Sequence, residues 1–547
     1  MIALAFLLST AAPADLIIRD AHIVTVDPKF SIAQAAAVKD GRFVAVGSDA
    51  EVMKTAGPKT RVIDLHGKTV LPGFNDTHVH LTAGEDLPVQ VDLTHIRSIK
   101  DIQEKIAARA KQSKPGDWIV GTRGWWEYQL TEGRLPTRAD LDAAAPDNPV
   151  AIPGPHYVIV NSRALQLAGI TRVTPDPQGG QIYKDSNGEP TGLLMDNAGR
   201  FIGKFIPHPS EAEKEAGLKR VLALVNSHGL TSAGDPSGSP GDAALFRKLR
   251  DAGQLTVRVD FAYNIDPAEP LEQVDAELKT LPKPGSDGDG MFRSDEIGET
   301  GLDGAELTAL LEHDYPGKPG YRGLQKVPTD QFEKFAALIA KYGYRLRPHA
   351  VGDAAINEAL DAFEYTNKQT PITGRRWMID HAFLLGPQHY ERVKRLGLII
   401  NSQYMHNYEL GALILKAWKR PLADRSEPYA EWLKNGIMFA GGSDGPISYY
   451  AEPLLEIYGE VTRGTQWDGR LGPNQGISRA DAIRSVTING AYTTFEEKQK
   501  GSIEPGKYAD FVVLSGDILE VPAEQIRDLK VLTTVLGGKT VYGQLGQ

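Results

Sequence analysis

The 547-residue sequence contains no cysteine. That absence excludes disulfides, thiolate metal sites and a cysteine nucleophile, and leaves any metal to His, Asp, Glu or a modified Lys. No apolar run approaches the ~18 residues of a membrane-spanning helix, so an integral membrane protein is not expected. Basic residues are outnumbered, Lys+Arg 60 against Asp+Glu 70, for a formal net charge of −10. Nucleic-acid binding, which relies on basic patches that neutralise phosphates, is therefore not expected either. No Walker-type or dinucleotide fingerprint follows a strand, so nucleotide cofactors are not indicated. Short-period repeats are also lacking.

Apolar material is ample: 41% of residues are hydrophobic and 24% charged, ordinary globular usage. Ile2 to Leu8 is a short apolar stretch, and Ala12-Pro13-Ala14 forms an A-x-A pattern ahead of Asp15. Residues 1–14 thus read as the end of a secretory signal peptide, predicting a periplasmic or secreted protein. No Lys or Arg precedes the run, which leaves a cytoplasmic chain as the alternative.

Leu16 to Val26, Ala35 to Val46 and Thr60 to Val70 alternate apolar and polar residues between turn dipeptides, and the signature returns after Ala509. Neither end alone buries a face, so residues 15–70 and 496–547 are expected to pair into one β-sandwich. Between them, strand-like runs alternate with helical stretches. Eight such strands end in a polar residue or directly before one: Val70 to His80, Gly229 to Asp235, Leu255 to Ile265, Gly290 to Glu299, Tyr344 to His349, Arg376 to His381, Gly397 to Gln403 and Gly436 to Asp444. Eight βα units predict an α/β fold, a (β/α)8 TIM-type barrel over residues 71–84 and 228–495 with its site at the C-terminal strand ends. The gap at 85–227 is too long for a βα loop and predicts an inserted α+β subdomain roofing the barrel mouth.

Leu71-Pro72-Gly73-Phe74-Asn75-Asp76-Thr77-His78-Val79-His80 is the most informative stretch. Residues i and i+2 of a strand share a side, so His78 and His80 can reach one ion from one strand end. His349, His381 and Asp444 end three further strands. Five potential ligands at four strand ends are a poor fit to incidental core histidines.

These motifs resemble the amidohydrolase superfamily, specifically the amidohydrolase-3 branch that includes YtcJ-like proteins and N-substituted formamide deformylases. The similarity runs nearly end to end, from Asp20-Ala21-His22-Ile23-Val24-Thr25 to Lys500-Gly501-Ser502-Ile503-Glu504-Pro505-Gly506-Lys507-Tyr508-Ala509-Asp510. The resemblance implies one or two divalent metals, with zinc expected, held by His78, His80, His349, His381 and Asp444. Many relatives carry a carboxylated lysine on strand four just ahead of an Asp-Gly pair; aligning on Asp303-Gly304 puts Glu299 there. A glutamate can supply the same bidentate carboxylate and make the centre binuclear. The other reading makes Glu299 a rim residue paired with Arg293 or Arg347.

A divalent ion lowers the pKa of bound water toward about 7 and polarises a carbonyl. By the resemblance, Asp444 takes the proton from that water and hands it to the leaving nitrogen. Asp380 and Asp353 are candidates to orient the imidazoles from behind, and Asp380 is not expected to be a direct ligand. In the roof, His156 lies where relatives carry a histidine ahead of Asn-Ser, and is read either as a donor to a developing oxyanion or as a packing residue. Trp125, Trp126, Tyr128 and Tyr404 are read either as an aromatic wall or as core. Gly179-Gly180 and Gly188 to Gly192 match a family motif that hairpin turns also explain. Specificity is expected from the roof and from loops such as Met405 to Ala423.

The expected function is hydrolysis of an amide, N-formyl or carbamate C–N bond in a small-molecule substrate. Deamination of a cyclic or aromatic amine, and a non-catalytic regulatory or binding protein on the same fold, are the alternatives. A homo-oligomer is left open.

Overall fold

The computed structural model of the chain describes residues 12–546 apart from 85–89, 94, 95, 123, 124, 126, 128, 129, 155, 208, 446–450, 467 and 468. Its centre is an eight-stranded parallel sheet whose strands follow chain order: Phe74–Asp76, Leu230–Gly238, Arg258–Tyr263, Phe292–Gly301, Arg345–Ala350, Met378–His381, Ile399–Ser402 and Phe439–Gly441. First and last strands meet where Thr77 N–H donates to Gly441 O (3.1 Å), while His78 O accepts from the backbone of Asp444 (2.8 Å). The sheet is the expected (β/α)8 barrel, its strands buried on both faces as a parallel sheet covered by helices requires. Helices between strands, among them Pro240–Asp251, Thr329–Lys341 and Asp353–Gln369, turn apolar faces onto it. No helix among the described residues is long and apolar enough to cross a membrane.

The first expected strand, Val70 to His80, is two strands. Thr69–Pro72 pairs antiparallel with Phe511–Leu514 in a six-stranded sheet drawn from both chain ends, and Phe74–Asp76 then enters the barrel. The passage occurs at Gly73, where a Cβ would lie 2.2 Å from the Thr231 side chain. A four-stranded sheet of N-terminal strands packs on this mixed sheet through Ile18, Val38, Phe43, Phe511 and Val535. Arg258, on the third barrel strand, ties the barrel to the sandwich through a buried ion pair with Asp510 (2.7 Å).

The segment between the first two barrel strands builds its own six-stranded sheet from Gln90–Val91, Ile119–Gly121, Val150–Pro153, Tyr157–Val160, Gly180–Lys184 and Pro190–Asp196. Its two faces carry separate cores, one around Ile102, Trp125 and Ile159 and one around Leu165, Ile182 and Leu194. The expected extent of this insertion, 85–227, needs correction at its end. Helix Glu211–Ser227 contributes Leu218, Val221, Leu222 and Val225 to the barrel core. It is the helix that leads into the second barrel strand.

The leader expected at 1–14 falls mostly on residues outside those described. Its last residue, Ala14, is buried; its N–H donates to Thr55 O (3.0 Å) and its carbonyl accepts from Thr60 Oγ1 (2.6 Å).

Candidate metal centre at the barrel mouth

Glu299, near the end of the fourth strand, lies at the middle of the site. One carboxylate oxygen, Oε1, is 2.7 Å from both His349 Nδ1 and His381 Nε2. The other, Oε2, faces His78 Nε2 at 3.6 Å and His80 Nε2 at 3.7 Å. Asp444 Oδ1 closes the second side, 3.3 Å from His78 Nε2 and 2.9 Å from His80 Nε2. Two imidazole pairs thus share one glutamate, and the structure brings together all six residues expected as ligands.

The reading of Glu299 as a rim residue paired with arginine does not hold. Arg293 pairs with Asp295, and Arg347 pairs with Asp380 (2.8 Å) and Glu296 (3.2 Å). His78 and His80 also differ from expectation: both lie beyond the end of the strand Phe74–Asp76, in the turn that follows. Their convergence comes from backbone ties, His78 N–H to Asp76 Oδ1 (3.1 Å) and His80 N–H to Gly445 O (2.7 Å), and not from strand alternation. Gly442 lets this turn approach the last strand, because a Cβ there would sit 2.8 Å from His78 N. His381 (φ 69) and Asp444 (φ 59) adopt left-handed backbone at their strand ends. Such conformations cost roughly 1–3 kcal/mol and cluster at functional sites.

Groups behind the ligands set their orientation. Asp380 is fully buried, receives two hydrogen bonds from Arg347 (2.9 and 2.8 Å) and lies 3.4 Å from His78 Nδ1. It supports an imidazole from behind, as the sequence suggested. Asp353 does not: its carboxylate accepts from the backbone of Glu312 (2.9 Å), where the following helix begins. The backbone beyond His349 is held instead by Asp303, which accepts from Val351 (3.0 Å), Gly352 (2.8 Å) and Leu310 (2.8 Å).

Two contributors escaped the sequence reading. His406, in the first turn of helix Tyr404–Trp418, places Nε2 2.9 Å from Asp444 Oδ2 and Nδ1 3.3 Å from Glu306 Oε1. Asp196, closing the roof strand Pro190–Asp196, lies 2.9 Å from His156 Nδ1 and 3.3 Å from Lys326 Nζ. The His156 ring is held over the mouth, its centroid 5.4 Å from that of His349. Of the expected aromatic wall, Trp125 is roof core, edge-on to Tyr157, and Tyr404 is barrel core, its hydroxyl donating to Gly464 O (3.1 Å). Trp126 and Tyr128 lie outside the described residues. The expected loop Met405 to Ala423 is mostly the helix Tyr404–Trp418. Of the roof glycines, Gly179 and Gly188 have positive φ, as turns explain; Gly192 (φ 98) does too, but within the strand Pro190–Asp196, where a Cβ would lie 2.3 Å from Val160 O.

The electrostatics suit a cation. Burial would raise Glu299, but the charge of His78 and the contacts from His349 and His381 outweigh it and hold the carboxyl well below its ordinary range. Burial likewise opposes ionisation of Asp444, and His406, His78 and His80 override it. Burial and neighbouring His381 push His349 down to about 3, leaving the neutral imidazole that a metal requires. His78 Nε2 and His381 Nδ1 are buried atoms without a hydrogen-bond partner. His78, Glu299 and His381, and His78, His80 and Asp444, each present ligand atoms within 4.8 Å of one another. An imidazole nitrogen left bare between two carboxylates is a fit for a divalent ion, which hard oxygen and borderline nitrogen donors bind together.

A barrel of this topology with imidazoles and carboxylates gathered at its C-terminal mouth defines the metal-dependent hydrolases as its class. Residues 61–542 match the model of the amidohydrolase family, and the chain belongs to that family. It is 32% identical over 525 residues to YtcJ of Bacillus subtilis, named as an amidohydrolase, covering 93% of this chain and 96% of that one. It is 28% identical over 543 residues to N-substituted formamide deformylase of Arthrobacter pascens, covering 97% and 99%. A solved metal-dependent hydrolase from Pyrococcus furiosus superposes with a TM-score of 0.70 at 24% identity, covering 92% of this chain and 100% of that one, a likeness that carries the fold.

Proposed function

We propose that the chain hydrolyses a carbon–nitrogen bond, an amide, N-formyl or carbamate group, in a small molecule, at a centre of one or two divalent metals, zinc foremost. His78, His80, Glu299, His349, His381 and Asp444 would hold the metal. The observation that carries this reading is Glu299, with one oxygen on the His349–His381 pair and the other toward His78 and His80.

A divalent ion, when bound, supplies Lewis acidity and makes water acidic enough to attack at neutral pH. The chain's own residues do the rest. Asp444 accepts the proton from the attacking water and returns it to the leaving nitrogen, a task for a carboxylate at the mouth with a second group steadying it. His406 is that group, fixing Oδ2 while Oδ1 faces the histidines. Asp196 holds His156 by Nδ1 and leaves Nε2 for the substrate carbonyl.

The test is elemental analysis of untagged protein beside Glu299→Ala, followed by turnover assays on N-substituted formamides and carbamates with Asp444→Asn. Two metals per chain falling to one or fewer in Glu299→Ala, and amide turnover lost in Asp444→Asn with metal retained, support the reading. One metal in both proteins removes Glu299 as a bridge. Ammonia released from a cyclic amine, with every amide inert, replaces amide hydrolysis by deamination.

A further inference from the structure

Beside the mouth lies a cavity of about 500 Å³ walled by the roof sheet and by the helix that carries His406. The alternation of two paired roof strands builds one wall. Tyr157 stands opposite Met195, and Ile159 opposite Leu193, so Tyr157, Leu193 and Met195 share one face, while Val158 and Leu194 pack into the core on the other. The facing wall is helix Tyr404–Trp418, which contributes Leu413, and the third is Leu307. The charged residues of the lining, Glu127 and Lys416, stand 4.0 Å apart and both reach solvent.

Each wall continues an element of the metal site. Tyr157 follows His156, and Met195 precedes Asp196, whose N–H donates to His156 O (2.7 Å). Leu307 follows Glu306, the partner of His406. On the helix, Leu413 is seven residues after His406, hence on the same face and about 10 Å further along. Folded chains ordinarily close such space, because interiors pack to crystal density. Here Leu193, Leu307 and Leu413 are only half-buried around it. Apolar volumes of this size with a few polar groups at one end are the form that small-molecule sites take.

We infer that this cavity receives an uncharged alkyl or aryl group of the substrate, carried about two helical turns from the scissile carbonyl. The inference rests on the proposed metal site only for where the carbonyl lies. It makes the substrate an amide, formamide or carbamate with a long apolar substituent and no charge along it, since the charged groups lining the cavity among the described residues, Glu127 and Lys416, face each other.

The test is isothermal titration of the metal-loaded protein with N-alkylureas from ethyl to octyl, which present a similar carbonyl and resist hydrolysis. Parent, Leu193→Trp and Leu413→Trp are compared after melting curves show which variants fold. In the parent, affinity should rise up to about fourfold per added methylene. A tryptophan that fills the cavity should weaken octylurea at least tenfold and leave ethylurea unchanged. Affinity independent of chain length, or equal losses for both ureas in the folded variants, would overturn the inference. A length dependence without turnover of any amide keeps the cavity and removes the catalytic reading. Turnover of short formamides with no length dependence does the reverse.

Discussion

His406 Nε2 lies 2.9 Å from Asp444 Oδ2, and the opposite ring nitrogen lies 3.3 Å from Glu306. The imidazole spans two buried carboxylates and fixes the one that faces the histidine pair. Burial opposes its charge, but its hydrogen bonds to the carboxylates of Asp444 and Glu306 lift it to about 9. Removing the ring leaves Asp444 free to rotate and Glu306 buried without this partner. His406→Ala should weaken metal retention roughly 10–100-fold, the usual cost of losing a group behind a ligand. Competition with a chelator measures it, and parent-like retention would make the contact incidental.

The junction of barrel and sandwich rests on Arg258, whose guanidinium binds Asp510 through two hydrogen bonds (2.7 and 3.1 Å) and lies 3.8 Å from the Tyr508 ring centroid. Asp510→Ala leaves that charge buried. Such half-pairs cost about 3–5 kcal/mol, so the urea midpoint should drop sharply. A shift no larger than that of a surface alanine would show that the sandwich is held by its apolar core alone.

Gly442→Ala should disturb the metal centre without replacing a ligand. The new methyl would lie 2.8 Å from His78 N and 2.9 Å from His78 Cβ, so the turn that carries His78 and His80 must move. A loss of about 1–3 kcal/mol is expected for such overpacking, with reduced metal content. Gly203→Ala, where nothing lies within 4 Å, is the control and should leave both unchanged.

Burial pushes Glu358 up to about 7, despite hydrogen bonds from Thr329 (3.2 Å) and Gln325 (2.6 Å). The folded state therefore binds this proton more tightly than the unfolded chain, and stability falls as pH rises from the ordinary glutamate range through 7. Glu358→Gln removes the ionisation. The variant should match the parent near pH 4 and exceed it at pH 8 by about 1 kcal/mol, a figure that allows for partial exposure. Denaturant midpoints at the two pH values decide it; equal differences at both would mean that Glu358 does not titrate across this range.

The barrel was legible because its signals are local. Eight apolar runs that end in a polar residue or directly before one are visible along the chain, and His78, His80, Glu299, His349, His381 and Asp444 stand at or just beyond their ends. Less was visible where a contact spans distant positions without a pattern. His406 meets Asp444 from the first turn of a helix, and Asp196 meets His156 across the roof, so neither spacing carries a mark. The strand from Val70 was read as one because apolar residues run through Gly73 unbroken; only the close approach of Thr231 shows why the chain changes sheets there. Tyr404 and Trp125 went to core because large rings are buried most cheaply among other rings.

The sheet that joins both chain ends also sets an order of events during synthesis. Thr69–Pro72 hydrogen-bonds to Phe511–Leu514, so its strand has no partner on that side until nearly the whole chain has left the ribosome. At 5–20 residues per second, the roughly 440 intervening residues take about 20–90 s to make. Through that interval the nascent N-terminal segment presents an open apolar edge, and any chain truncated before residue 511 keeps it open permanently.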